Sequence, residues 1–194
     1  PTTPGAFRPT MHASVGPLNH DAVVVELSAD GAHLLYSTFL GSQSIPNPPN
    51  PLNNSTGGRA VVEPSGTVVC AGFTRALLPV TTGARTPTPP SPGVNDCYIA
   101  RLDLRGHGDA DLLHLTYFGG SSGEGCWGVA AGAGGSTWVC GIATSVNLPV
   151  SPGAFQTTNL RGPRDGWAAR IDLLPVGVDR VGTSSPGCAL RVAM

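Results

Sequence analysis

The sequence predicts an all-β chain built from a repeated four-stranded antiparallel unit, and three observations carry that expectation. First, 27 glycines and 19 prolines are spread through the 194 residues. Inside a helix they cost about 1 and 3 kcal/mol each, so long helices are disfavoured. Second, short runs rich in Val, Leu, Ile, Tyr and Trp stand between turn-forming clusters. Third, four short motifs recur in the same order at spacings of about 70–80 residues.

The elements follow from these motifs. Asp21–Leu27 (DAVVVEL), Asp96–Leu102 (DCYIARL) and Asp165–Ile171 (DGWAARI) open alike. Tyr36–Gly41 (YSTFLG) is matched with Leu115–Gly120 (LTYFGG). Thr67–Thr74 (TVVCAGFT) is matched with Thr137–Thr144 (TWVCGIAT). Pro1–Phe7 (PTTPGAF), Pro79–Arg85 (PVTTGAR) and Pro149–Phe155 (PVSPGAF) form the fourth set. Strands are expected at 21–28, 33–40, 59–63 and 67–74 in the first unit. In the second they are expected at 96–103, 112–118, 126–131 and 136–143. Turn chemistry separates them, as at Ala29-Asp30-Gly31, Glu63-Pro64-Ser65-Gly66 and Gly132-Ala133-Gly134-Gly135. Four antiparallel strands per repeat, followed by a crossing loop, is the pattern of β-propeller blades. The units fall at about 1–78, 79–148 and 149–172, giving two full blades and part of a third, with 173–194 as a tail or the start of a following segment.

This order of motifs resembles the SBBP-type β-propeller repeat of secreted bacterial proteins, over residues 1–172. The resemblance implies a seven-bladed propeller fold and an extracellular or cell-envelope location. It brings no catalytic residues. Gly182–Cys188 (GTSSPGC) is similar to the linker that follows such repeats. The chain departs from the family in holding fewer than three units and in its longer loops.

Fewer than three blades leave an apolar terminal face to cover. Three resolutions stand open: an excerpt of a larger propeller, self-association into a closed ring of blades, or an open stack capped by the terminal segments. The sequence starts at Pro1 with no initiator Met, charged n-region or apolar h-region, so no signal peptide is visible, and the chain reads as a processed product or an excerpt.

Composition excludes several classes. Net charge is −1, which gives no field to steer nucleic acid, and no apolar run is long enough to span a membrane as a helix. All 11 basic residues are Arg, so lysine-dependent chemistry is absent. No Gly-x-Ser-x-Gly elbow occurs. No Cys-x-x-Cys pair occurs among the 5 cysteines. Cys70 and Cys140 read as buried core residues, and Cys97 with Cys126 as disulfide partners if the protein is secreted.

The candidate site residues are few. His12, His20 and Asp21 lie at the entry to the first unit, and His107, Asp109, Asp111 and His114 cluster in the second. Imidazole and carboxylate together suit a divalent metal, Ca²⁺ for an oxygen-rich set or Zn²⁺ for a histidine-rich one. Asp109 and Asp111 would share one face if that stretch were a strand. The competing reading makes both clusters ordinary turn residues. Trp127, Trp138 and Trp167 sit in expected strands, as packing between blades or as a stacking platform for carbohydrate. The repeated Asp21, Asp96 and Asp165 read as turn-fixing residues, with a carboxylate-lined channel as the alternative. Two Pro-rich insertions, 42–56 and 86–95, read as surface loops or as stiffened recognition loops. The function classes left are a non-catalytic binding or scaffold module taking a protein or carbohydrate ligand, a hydrolase (metal-assisted or not), and a self-assembling structural protein.

Overall fold

The computed structural model describes residues 1–11, 20–41, 55–158, 163–173 and 191–193. Among them are strands β1 (Ala22–Leu27), β2 (Leu34–Leu40), β3 (Ser55–Val62), β4 (Val68–Thr74) and β5 (Asp96–Leu102). They continue with β6 (Leu112–Phe118), β7 (Glu124–Ala131), β8 (Ser136–Ala143), β9 (Asp165–Asp172) and β10 (Arg191–Ala193). The expected all-β class holds, and every sheet pairing is antiparallel.

The strands group as β1-β2, β3-β4-β5-β6 and β7-β8-β9-β10. These sheets are blades, but they are out of step with the sequence units. The middle blade takes β3 and β4 from the end of the first unit and β5 and β6 from the start of the second, whereas the third sheet takes β7 and β8 from the second unit, β9 from the partial third unit and β10 from the segment 173–194. The partial blade is therefore β1-β2, at the beginning of the chain rather than its end. The long stretch from Arg75 to Asn95 does not separate blades. It crosses over one blade and returns the chain to pair β5 with β4, Thr74 opposite Asp96.

The middle blade is buried on both faces, which explains its near-continuous apolar strands. Along β4, Val69 and Ala71 face one core while Val68 and Cys70 face the other. Along β5, Cys97 and Ile99 join the first core, and Tyr98, Ala100 and Leu102 the second. The first core is closed by Val139, Trp167, Ala169 and Ile171 of the third sheet. The second is closed by Ala22, Val24 and Leu40 of β1-β2, together with Phe7. The alternation of period two is thus present in β4 and β5, but both phases are apolar.

The recurring Pro-containing motif has a defined job. It docks on the outermost strand of its blade. Thr3 N donates to Ser37 O, and Thr81 N to Leu115 O. Arg8 N and Thr86 N donate to Thr38 Oγ1 (2.8 Å) and Thr116 Oγ1 (3.0 Å). Phe39 N and Tyr117 N donate back to Arg8 O and Thr86 O. The turn itself repeats: Ala6, Ala84 and Ala154 donate to the carbonyls of Thr3, Thr81 and Ser151. Gly5, Gly83 and Gly153 supply its positive φ of 74°, 82° and 77°. These bonds fix the true register of the second motif. Thr38 matches Thr116, so Tyr36 matches His114, one position away from the pairing of Tyr36 with Leu115. Leu40 opposite Ala22 and Phe118 opposite Cys97 agree.

Replacing Thr116 by Val keeps the shape but leaves the Thr86 N–H without its acceptor. We expect a loss of about 1–3 kcal/mol in urea unfolding, and a comparable loss for Thr38→Val. An effect at neither position would show that the docked segment contributes nothing to stability.

Candidate functional site

Two strands carry a bulge at matching places. The β3–β4 ladder slips between Gly57 and Arg59, and the β7–β8 ladder between Cys126 and Gly128. An extra residue turns the local backbone and re-aims its side chain. In β7 that residue is Trp127, which is 56% exposed although its neighbour Cys126 is fully buried. Its indole nitrogen lies over Gly125, where a Cβ would come within 2.8 Å of it. Only glycine leaves the ring that seat.

Trp127 forms one wall of a cleft of about 360 Å³. Phe73 stands opposite in a tilted pair, with ring centroids 5.8 Å apart. Arg75, Asn95 and Arg164 complete the polar rim, with Ser122 and Thr144 beside them. Arg75 Nε donates to Asn95 Oδ1 at 3.0 Å. Arg75 follows β4, Asn95 precedes β5, and Arg164 precedes β9, so the antiparallel pairing gathers them at one end of the two blades. An aromatic face, two guanidinium groups and small hydroxyls suit a polar ligand with a flat apolar patch.

Glu124, which also lines this cleft, forms a buried carboxylate pair with Asp96. Asp96 and Glu124 are buried, and both converge on Gly119: a Cβ there would meet Glu124 Oε2 at 2.5 Å and Asp96 Oδ1 at 2.9 Å. Glu124 accepts from Gly120 N (2.9 Å) and Ser145 N (3.3 Å). Asp96 Oδ2 accepts from Ser91 N at 3.1 Å, while its Oδ1 has no partner. Burial, with the charge of Glu124 nearby, pushes Asp96 up to about 6. Burial also raises Glu124. The bond from Ser91 is the local N–H contact expected of the repeated aspartate. Asp21 lies against Gly41 in the same way. Asp96 is 0% exposed, so it faces no channel.

The remaining sequence candidates are dispersed. His12 lies outside the described residues. His20 is exposed, and Asp21 is half-buried. His107 and Asp109 are exposed, whereas Asp111 is buried. The stretch Gly108–Asp111 is a 3-10 turn rather than a strand, so Asp109 and Asp111 do not share a face. The Asp111 carboxylate is already bound by Gly106 N, His107 N and the Tyr36 hydroxyl. His114 is buried with neither ring nitrogen partnered, and burial beside Arg101 lowers its pKa. Among the described residues no three His, Cys, Asp or Glu side chains come together to hold a metal.

The three tryptophans divide. Trp167 is buried against Phe118, with centroids 4.8 Å apart, and is a packing residue. Trp138 is 47% exposed on the outer face of the third sheet, paired in register with Ala130 and Arg170. Trp127 is the one that lines the cleft beside Phe73. Cys70 is buried as expected, but Cys140 is exposed, because it too lies on that uncovered outer face. Cys97 and Cys126 are both free thiols, buried beside one another.

The insertion 42–56 falls largely outside the described residues. The insertion 86–95 is described, and its Thr86 and Ser91 are tied to β6 and to Asp96. No helix among the described residues is long and apolar enough to cross a membrane. No protein-family model matches this chain, and no curated protein matches it significantly.

Proposed function

We propose that this chain is a non-catalytic binding or scaffold module of a β-propeller similar to the SBBP-type repeat, secreted or held in a bacterial envelope, and that it takes a carbohydrate in the Trp127 cleft. The observation that supports this is the bulge in β7. It turns a large aromatic ring outward at the mouth of a cleft rimmed by Arg75 and Arg164. A sugar ring stacks on an indole through its C–H face, and the guanidinium groups favour hydroxyl-rich or carboxylate-bearing sugars.

The test is a titration of neutral and acidic oligosaccharides followed by tryptophan fluorescence. We expect saturable binding that weakens at least tenfold in Trp127→Ala and is unchanged in Trp138→Ala. Absence of saturable binding across both classes would reject the carbohydrate reading. The hydrolase reading draws on Asp96 and Glu124, a carboxylate pair with raised pKa values, of which Glu124 lines the same cleft. Product release in that titration, abolished by Glu124→Gln, would favour it instead.

A further inference from the structure

We propose that the edge of β1 left unpaired among the described residues is a receptor for a β-hairpin carrying the pattern of β3–β4 and β7–β8, presented ahead of Pro1 as β7–β8 is presented ahead of Pro149. The strands β1, β5 and β9 start from the matching aspartates Asp21, Asp96 and Asp165. β5 is hydrogen-bonded on both edges, to β4 and β6, and β9 to β8 and β10. Among the described residues β1 pairs with β2 alone.

A cavity of about 550 Å³ lies between β1 and the edge strand β3, whose Gly57 to Ala60 line it. Residues pointing to both sides of β1, Ala22 through Glu26, line it, as do Gly57, Val68 and Tyr98 beyond. A wall made of a strand edge offers a row of main-chain donors and acceptors, and another strand is the ligand that matches them.

The two cores show what is lacking. Between the second and third sheets, Val69, Val139 and Ala169 are 0%, 2% and 0% exposed. At the other face of the second sheet, Val68 and Cys70 remain 8% and 6% exposed, as does Val24 of β1 at 9%, and no described strand equivalent to β8 covers them. Val23, Val25 and Leu27 of β1 are each about half exposed.

The chain itself twice shows the occupant. It is an antiparallel strand whose last residue stands opposite the leading aspartate, as Thr74 does to Asp96 and Ala143 to Asp165. A partner strand precedes it by one short turn. After each such hairpin comes the Pro79 or Pro149 motif. Pro1–Phe7 already docks on β2 as Pro79–Arg85 docks on β6.

The experiment extends the chain by placing a copy of residues 121–148 ahead of Pro1. Amide exchange of Ala22–Leu27 is then followed by mass spectrometry, with Asp96–Leu102 as the internal standard. We expect β1 amides to exchange at least tenfold more slowly, independent of protein concentration. The same extension with Val139→Pro in the added copy should restore the original rate, since proline removes a ladder donor. Unchanged β1 exchange, or equal protection from the proline copy, would overturn the proposal. So would protection in the unextended chain that grows with concentration, because a second copy would then be the occupant. If the extension unfolds the chain, free peptide 121–148 added to the unmodified chain decides by the same readout.

Discussion

Replacing Glu63 by Ala is expected to destabilise the protein by about 3–5 kcal/mol, the effect of stranding a buried guanidinium. Arg101 Nε lies 2.6 Å from Glu63 Oε2, with the two side chains 12% and 3% exposed. Arg101 also donates through Nη1 to Leu173 O at 3.0 Å. One side chain thus ties the β3–β4 turn, the end of β5 and the segment leaving β9. Thr67 Oγ1 donates to the same Glu63 oxygen, so the turn that begins at Glu63 is fixed by it as well. Without the carboxylate, Arg101 faces a buried site next to His114, its register partner across β5–β6. The control is Arg101→Met with Glu63→Gln, which removes both charges and should recover much of the loss. Urea unfolding of the single and double variants measures the coupling. A cost for Glu63→Ala below 1 kcal/mol would mean that solvent reaches the pair.

Arg101 shows why parts of this structure could be read in the sequence and parts could not. Strand positions depend on local alternation and turn residues, and the eight expected runs fall on β1 to β8, with β3 starting four residues earlier than expected. The matching of motifs located Asp21, Asp96 and Asp165 and the docked Pro segments. Blade boundaries were hidden, because a sequence repeat has no preferred phase: the same four strands per period can be cut at any loop. The choice is made by which strands hydrogen-bond, and the link from Arg75 to Asn95 joins two strands of one blade. The register of Tyr36 with Leu115 slipped by one for a related reason. The Thr38 and Thr116 hydroxyls, each accepting a backbone N–H, distinguish the alternatives together with the strand ladders.

The cleft was half legible. Trp127 was a candidate from its residue type. Phe73, Arg75, Asn95 and Arg164 were not, since each lies at a strand end and is brought to the others only by antiparallel pairing. The histidine and aspartate clusters failed for the opposite reason. They are close in sequence, but Asp111 turns inward to bind Tyr36 while Asp109 stays in solvent. Cys140 makes a similar point. It has the sequence setting of Cys70, and burial differs because a blade has two faces and only the middle one here has two neighbours.

Asp96 is expected to make the protein less stable as pH rises from about 4 to about 6. Its folded-state pKa is raised from 3.8 to about 6. Below pH 4 the carboxyl is protonated in both the folded and the unfolded chain, so no penalty exists. Between these values the folded state holds a proton that the unfolded state has released, and stability falls with pH. Above pH 6 the buried carboxylate is ionised and the full penalty applies, about 3 kcal/mol for a shift of this size. Glu124 is also raised and adds in the same direction. His114 opposes it, because a lowered imidazole pKa makes stability increase as pH approaches 6.5. Comparing the wild type with Asp96→Asn at each pH cancels His114. Asn retains an acceptor for Ser91 N and can donate its amide toward Glu124. The variant should therefore match the wild type near pH 4 and exceed it by about 2–3 kcal/mol at pH 7. A difference that does not change with pH would show that Asp96 is solvated. A variant weaker at pH 7 would show that the ionised carboxylate is needed to hold the loop at Ser91.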